Sequence, residues 1–122
     1  MKINLKITTL TLSDEESVYL DKRLQALDKL VVGPHAEAAM ADVEVGRTTT
    51  HHQGGAIFRA EINLHVGSKH LRSVSEKTDL LSAIDDAKDQ MAEELRSTNS
   101  KQLTLMRRGA KLVKDTIRGF YR

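Results

Sequence analysis

The segment over residues 78–96, TDLLSAIDDAKDQMAEELR, constrains the fold most strongly. Its apolar side chains recur every three or four residues, which is typical of a helix with one apolar face: Leu80, Leu81, Ile84, Ala87, Met91 and Leu95. We expect Thr78 to cap this helix and Asp79 to lie in the favourable field of its N-terminus. A one-sided helix needs a surface to cover, so the preceding residues must form one.

The residues before this helix contain four segments typical of strands and one further helix. Alternating apolar and polar side chains predict strands over Lys2–Leu10, Ala41–Arg47, Ile57–Val66 and Lys69–Ser75. Ser13 and Glu16 form a capping box that begins the other helix, and Gly33-Pro34 ends it. Residues 48–55 are expected to form a polar hairpin loop. The prediction is an α+β fold, β-α-β-β-β-α, with a four-stranded sheet and both helices packed on one face.

Length and composition narrow the class of protein. The 122 residues suit one domain, and the absence of cysteine excludes disulfides, thiolate zinc sites and cysteine nucleophiles. Apolar runs are too short to span a bilayer, and the first ten residues lack the apolar core of a signal peptide. We expect a cytoplasmic protein.

The charge is divided unevenly along the chain. Residues 96–122 carry eight Lys or Arg and one acid, Asp115, whereas residues 1–95 carry eleven bases and sixteen acids. Clustered cations without acidic partners favour phosphate or another anionic surface. We therefore divide the chain into an α+β domain over residues 1–96 and a basic C-terminal extension over residues 97–122.

The extension combines turn-forming residues with an apolar stripe. Residues 97–100, STNS, favour turns, so we expect the long helix to break or fray there. The apolar side chains that follow are spaced as in an amphipathic helix: Leu103, Met106, Ala110, Val113, Ile117 and Phe120. Three interpretations remain open: an arm that binds RNA phosphates, a helix that docks on a membrane or partner, and a solvated tail.

No pattern in the sequence predicts catalysis. The chain has no Gly-rich phosphate loop, nucleophile elbow or HExxH motif, so we expect neither an enzyme nor a cofactor. His51 and His52 lack further metal ligands and are expected in an exposed loop. His65 and His70 are expected at opposite ends of a hairpin, in a structural role. The acids of the long helix are expected to form a solvated face: Asp85, Asp86 and Asp89.

Two segments carry a resemblance to a known family. The helix segment LDKRLQALDK over residues 20–29 and the segment SEKTDLLSAID over residues 75–85 are similar to the ribosome hibernation-promoting factor family, also called the ribosome-associated inhibitor or sigma modulation family. The resemblance covers residues 1–96 and this chain is similar to the short, single-domain type. It implies a domain like the double-stranded RNA-binding domain, which binds in the decoding channel of the small ribosomal subunit and excludes messenger and transfer RNA.

The resemblance also implies which side chains bind RNA. Lys22, Arg23 and Lys29 match basic positions of the first helix, and Lys77 and Lys88 lie near the second. Gln90 and Glu93 depart from the family pattern, in which basic residues are usual late in that helix. We expect the basic residues from position 96 onward to take over some of that phosphate binding: Arg96, Lys101, Arg107, Arg108, Lys111, Lys114 and Arg118.

The expected partners are the small ribosomal subunit and its RNA, with no membrane and with a monomeric free protein. Two other functions remain open. The domain could bind duplex RNA in general, or the amphipathic extension could dock on a regulatory partner. We expect Lys22→Glu with Arg23→Glu to weaken ribosome association without loss of stability, since both lie on the polar side of the first helix.

Overall fold

A computed structural model describes residues 1–49 and 56–99 of the chain, and the side chain of Thr49 is not described. Strand β1 covers Lys2–Thr8, helix α1 Asp14–Asp28, β2 Met40–Thr49, β3 Ala56–Val66 and β4 Lys69–Lys77. Helix α2 begins at residue 80 and continues to residue 99, the last described residue. This order confirms the predicted β-α-β-β-β-α arrangement.

The strands form one mixed sheet in the order β1-β2-β3-β4. β1 and β2 run parallel, because α1 carries the chain back between them, and the other neighbours are antiparallel. Leu5, Val43 and Ile62 are neighbours across three strands. Side chains in such a row share a face, so the register places the apolar positions of the strands on one side.

The core lies between that side of the sheet and both helices. Alternate residues of β2 and β3 are buried there: Ala41, Val43, Val45, Ala60, Ile62 and Leu64. They form one cluster with the apolar stripes of α1 and α2, which include Leu24 and Met91. Both helices therefore cover the same face, as the alternation predicted, and the opposite face of the sheet is open.

Helix α1 begins as the sequence predicted. The Ser13 hydroxyl accepts a hydrogen bond from the Glu16 backbone N–H at 3.1 Å, and the Glu16 carboxylate accepts one from the Ser13 N–H at 2.9 Å. These reciprocal bonds confirm the capping box. The helix ends at Asp28, before Gly33, which adopts a positive φ of 104°.

Helix α2 is capped by a different residue from the one predicted. The Asp79 carboxylate accepts hydrogen bonds from the Ser82 backbone N–H at 3.0 Å and from its hydroxyl at 2.9 Å. Asp79 is therefore the N-cap, and the prediction of Thr78 is wrong by one residue. A carboxylate at this position both satisfies a free donor and complements the positive end of the helix.

The predicted break after residue 96 is absent from the described part of the extension. Residues 97–99 continue α2, although Ser, Thr and Asn are poor helix formers. The Asn99 amide donates a hydrogen bond to the Leu30 carbonyl at 3.2 Å, which ties the helix to the segment after α1. Ser100 and the remaining extension lie outside the described residues, so the division into residues 1–96 and 97–122 stays a prediction.

Strand β1 is less buried than its alternation predicted. Leu5 and Ile7 face the helices yet are 45% and 39% exposed, because β1 is the edge strand. Its end is fixed by Thr9, whose φ is 58° and whose hydroxyl accepts a hydrogen bond from the Arg47 N–H at 3.0 Å. The side chain of Thr9 thus takes over the pairing with β2 where the backbone turns away.

Candidate nucleic-acid interface

Helix α1 and the residue that caps its C-terminus carry two exposed lysines that make no ion pair with any described residue. Lys22 and Lys29 are both exposed and lie seven residues apart. Seven residues are almost two full turns, so the two side chains share a face at a spacing of about 10 Å along the axis. Both belong to the predicted RNA-binding residues. They present an uncompensated positive surface, the feature that phosphate binding requires.

Arg23, although next to Lys22 in sequence, faces α2. Its Nη2 donates to the Tyr19 hydroxyl at 3.0 Å, and its Nε lies 2.9 Å from Asp85 Oδ1. The Tyr19 hydroxyl in turn donates to Asp85 Oδ2 at 2.6 Å. The hydrogen bond with Tyr19 and the charge of Asp85 raise the pKa of Arg23 above its usual value. Arg23 therefore connects the two helices.

This arrangement changes the role that the sequence suggested for two residues and adds a third. Arg23 is not a free cation, and Asp85 belongs to a contact between helices rather than to a solvated acidic face. Tyr19 was missed as a site residue, although its position four residues before Arg23 on one helix face was an available signal. The guanidinium also lies 4.9 Å from the centre of the Tyr19 ring, within the range of a cation–π contact.

Lys77 and Lys88 both lie near carboxylates. Lys77 Nζ is 4.0 Å from Asp86 Oδ2, and Lys88 Nζ is 3.3 Å from Asp89 Oδ1. The Lys88 side chain is only 16% exposed. Of these two predicted RNA ligands, Lys77 at the end of β4 is the more accessible, with 49% of its side chain exposed.

Gln90, which stands where the family usually has a basic residue, forms a hydrogen bond with Asp86. The Asp86 carboxylate accepts hydrogen bonds from the Ser75 hydroxyl at 2.6 Å and from the Gln90 amide at 3.0 Å. The hydrogen bond from Ser75, followed by that from Gln90 and the charge of Lys77, lowers the pKa of Asp86 despite partial burial. Gln90 therefore supports a contact between α2 and β4 that keeps this acid ionised.

Arg96 lies exposed on α2 and makes no ion pair with a described residue. The other predicted ligands in the extension lie outside the described residues: Lys101, Arg107, Arg108, Lys111, Lys114 and Arg118. Their part in RNA binding stays a prediction.

On the open face of the sheet, acidic and basic side chains pair with one another. Glu61 lies at its centre and accepts hydrogen bonds from Arg59 at 3.1 Å, Arg72 at 2.7 Å and Asn63 at 3.3 Å. Burial of Glu61 opposes ionisation, but the bonds from Arg72 and Asn63 and the charge of Arg59 outweigh it and lower the pKa of Glu61. Arg59 also lies 3.7 Å from Glu76. This paired face is a weaker candidate for phosphate binding than α1.

The histidines on the open face form a pair. His65 and His70 are direct partners across β3 and β4, and their rings stack in parallel at 4.5 Å. The expectation that they lie at opposite ends of the hairpin is wrong, because the chain turns within Gly67 and Ser68. His51 and His52 lie outside the described residues. Within residues 1–49 and 56–99, no three His, Asp or Glu side chains are grouped as a metal site would require.

Together, the fold and this surface define a small two-layer α+β domain that presents Lys22 and Lys29 as uncompensated cations along its first helix. A membrane-crossing role for its helices finds no support, since none in the described part of the chain is both long and apolar enough.

Comparison with known proteins places the chain in a family. Residues 3–103 match the family model described as sigma 54 modulation protein / S30EA ribosomal protein, and the chain belongs to that family. This confirms the resemblance found in the sequence. No curated protein sequence matches the chain.

Two solved structures share the fold. The crystal structure of the Thermus thermophilus Protein Y N-terminal domain is 27% identical with a TM-score of 0.63, over 80% of this chain and 99% of that one. A ribosomal subunit interface protein from Coxiella burnetii is 10% identical with a TM-score of 0.57, over 79% of this chain and 97% of that one. The second likeness concerns the fold alone.

Proposed function

We propose that this protein binds the small ribosomal subunit in its decoding channel and thereby prevents messenger and transfer RNA from binding. The observation that carries the proposal is the pair of uncompensated lysines on α1, Lys22 and Lys29, on a chain that belongs to the sigma 54 modulation and S30EA ribosomal protein family. The function is one of binding, and it requires shape and charge rather than bond chemistry.

The rigid contact between the helices supports this role. Tyr19, Arg23 and Asp85 join α1 to α2, and the core fixes both helices on the sheet. The backbone that carries Lys22 and Lys29 is therefore held at a constant position relative to the rest of the domain. A rigid backbone loses little conformational entropy when it enters a groove lined with phosphates, so that mainly the lysine side chains must be ordered there.

The test compares small subunits, large subunits and an unrelated RNA duplex as binding targets for the full chain. The variant Lys22→Glu/Lys29→Glu is matched with Lys2→Glu/Lys6→Glu, which reverses two exposed charges on the other face of the sheet. We expect the α1 variant to bind small subunits at least about tenfold more weakly and to reduce the slope of log K against log salt by one to two. The β1 variant should bind like the parent protein.

Displacement of messenger and transfer RNA is measured on the same subunits. Loss of small-subunit binding in both variants alike would reject the α1 surface. Equal affinity for the unrelated duplex would instead indicate a general double-stranded RNA-binding protein. Binding without displacement would reject the decoding channel and leave the ribosome as the partner.

A further inference from the structure

An apolar groove of about 460 Å³ lies at the end of the domain where the described chain stops. It is bounded by the segment after α1, the turn between β3 and β4, and the last turns of α2. Its apolar lining consists of Val31, Val32, Pro34, Val66, Leu71 and Leu95. None of the predicted RNA ligands among the described residues lines it, so the groove is separate from the α1 surface described above.

We propose that this groove receives the apolar stripe of the same chain's C-terminal extension, beginning with Leu103 and Met106. The first argument is where the described chain ends. Thr98 and Asn99 themselves line the groove. Leu103 follows Asn99 by four residues, a length of chain that spans at most about 14 Å. The stripe therefore begins within immediate reach of the groove.

The second argument is chemical. The extension repeats apolar side chains every three or four residues from Leu103 to Phe120, and no described element of the domain accounts for them. A cavity of roughly 150 Å³ accommodates a group the size of benzene, so 460 Å³ has room for two or three side chains of the stripe. Covering Val32, which is 58% exposed, would remove further apolar surface from water.

The third argument concerns charge. No carboxylate of the described residues lines the groove, whereas Lys69 and His35 are among its lining residues. The basic side chains of the extension therefore gain nothing from entering it, whereas the apolar ones do. Docking through Leu103 and Met106 leaves Arg107 and Arg108 outside the groove. The extension would then be attached to the domain by its apolar side chains and keep its cations for phosphate.

Tethering favours this occupant over a separate partner. A segment that begins four residues from its site experiences an effective concentration in the millimolar range, far above that of a second copy in dilute solution. Weak apolar contacts that would fail between separate molecules can therefore hold within one chain.

The first test follows the methyl NMR signals of Val31, Val66 and Leu71 in the full chain. Leu103→Ser/Met106→Ser removes two members of the stripe, and Leu105→Ser makes the same type of change at a neighbouring position outside it. We expect the groove methyl signals to shift in the stripe variant and to stay in place in the Leu105 variant. Unchanged core signals of Leu20 and Val45 would show that both variants are folded.

The second test uses the absence of native cysteine. Val32→Cys with Met106→Cys is compared with Val32→Cys with Arg107→Cys, which has nearly the same tether length but lies outside the stripe. We expect an intramolecular disulfide to form at least about fivefold faster in the Met106 pair.

The proposal would be overturned if the groove methyl signals stayed in place in the stripe variant, or if the disulfide formed at equal rates in the two cysteine pairs. Signals that change on dilution, or disulfides that join two chains, would assign the groove to a second copy and also overturn it. Neither readout involves RNA, so the outcome is independent of ribosome binding.

Discussion

Arg23 on α1 and Asp85 on α2 lie 2.9 Å apart, from Nε to Oδ1, so a predicted RNA ligand is joined to a predicted solvent-facing acid. No hydrogen bond reaches Asp85 Oδ1 in the described residues, so the contact there is one of charge rather than of aligned donor and acceptor. Tyr19 completes the contact by bonding to both partners. The link is therefore a three-residue network between helices.

This network predicts that two neighbouring charge reversals differ in their effect on stability. Arg23→Glu should lower the melting temperature, because it places a second carboxylate against Asp85 and removes the hydrogen-bond donor to the Tyr19 hydroxyl. Lys22→Glu should leave the melting temperature nearly unchanged, since Lys22 is exposed and makes no ion pair with a described residue. Thermal unfolding followed by circular dichroism measures both. The sequence predicted that Lys22→Glu with Arg23→Glu would remain stable, because both residues were assigned to the polar side of α1. That assignment is wrong for Arg23, which faces α2.

A charge exchange provides the control for this prediction. Arg23→Glu with Asp85→Arg restores opposite charges across the helices and should recover part of the lost stability in a double-mutant cycle. An Arg23→Glu variant as stable as the parent protein would contradict the structural role of the pair.

The N-cap of α2 gives a second prediction. Asp79→Ala should destabilise the protein by about 1 kcal/mol, because it leaves the Ser82 N–H without its acceptor and removes a negative charge from the helix N-terminus. Thr78→Ala is the matched control and should cost far less. Urea unfolding at neutral pH measures both. A larger loss of unfolding free energy for Thr78→Ala than for Asp79→Ala would instead support Thr78 as the N-cap, as the sequence predicted.

Periodicity predicted the elements of this fold well, because the buried faces of α1, α2, β2 and β3 are almost purely apolar. Two of the errors fall where neighbouring residues have the same chemistry. Thr78 and Asp79 can both cap a helix, and only the backbone path decides between them. Lys22 and Arg23 are both basic, and the 100° between successive helical residues turns one toward solvent and the other toward α2.

Contacts between distant segments could not be predicted from the sequence. Tyr19 and Asp85 are 66 residues apart, and nothing local to either residue indicates the other. The groove likewise combines residues from the segment after α1, the sheet and α2, so its existence follows from packing rather than from any motif. The exposed lysines of α1 were found because a family resemblance marked their positions.

The open face of the sheet predicts an acid-dependent stability through Glu61. Its pKa is lowered in the folded protein, so the group favours folding above its unfolded pKa, and this contribution is lost as the pH falls through the folded pKa. Unfolding free energy should therefore decline as the pH drops below about 4.5. Glu61→Gln should be less stable at neutral pH and show a shallower decline.

Urea titrations between pH 7 and pH 3 measure this dependence. Glu37→Gln, at an exposed position with no ion pair to a described residue, is the control and should follow the parent curve. If the unfolding free energy of Glu61→Gln declined in acid as steeply as that of the parent protein, Arg59 and Arg72 would not be stabilising the ionised carboxylate.

The inward-facing residues of β4 explain why its alternation of apolar and polar residues is weak in the sequence. Its inward positions include Ser73 and Ser75, which are 3% and 4% exposed. The Ser73 hydroxyl donates to the Ala87 carbonyl of α2 at 2.8 Å. Ala83 and Ala87, both fully buried, face this part of the sheet from the helix. Small residues on both elements let α2 approach the sheet closely, and hydroxyl groups bonded to the helix replace apolar contacts there.

Two substitutions at Ser73 separate the hydrogen bond from the spacing. Ser73→Ala should cost about 1 kcal/mol, the usual contribution of one hydrogen bond, since the smaller side chain still fits under α2. Ser73→Leu fills the inward position as an ordinary amphipathic strand would, but it must push the helix away and should cost about 1–3 kcal/mol more. Urea unfolding measures both, with Lys6→Leu, at an exposed strand position that makes no ion pair with a described residue, as a control for the change in side-chain type. A Leu variant more stable than the Ala variant would mean that α2 can move outward at no cost, and that the small residues of β4 do not set its distance from the sheet.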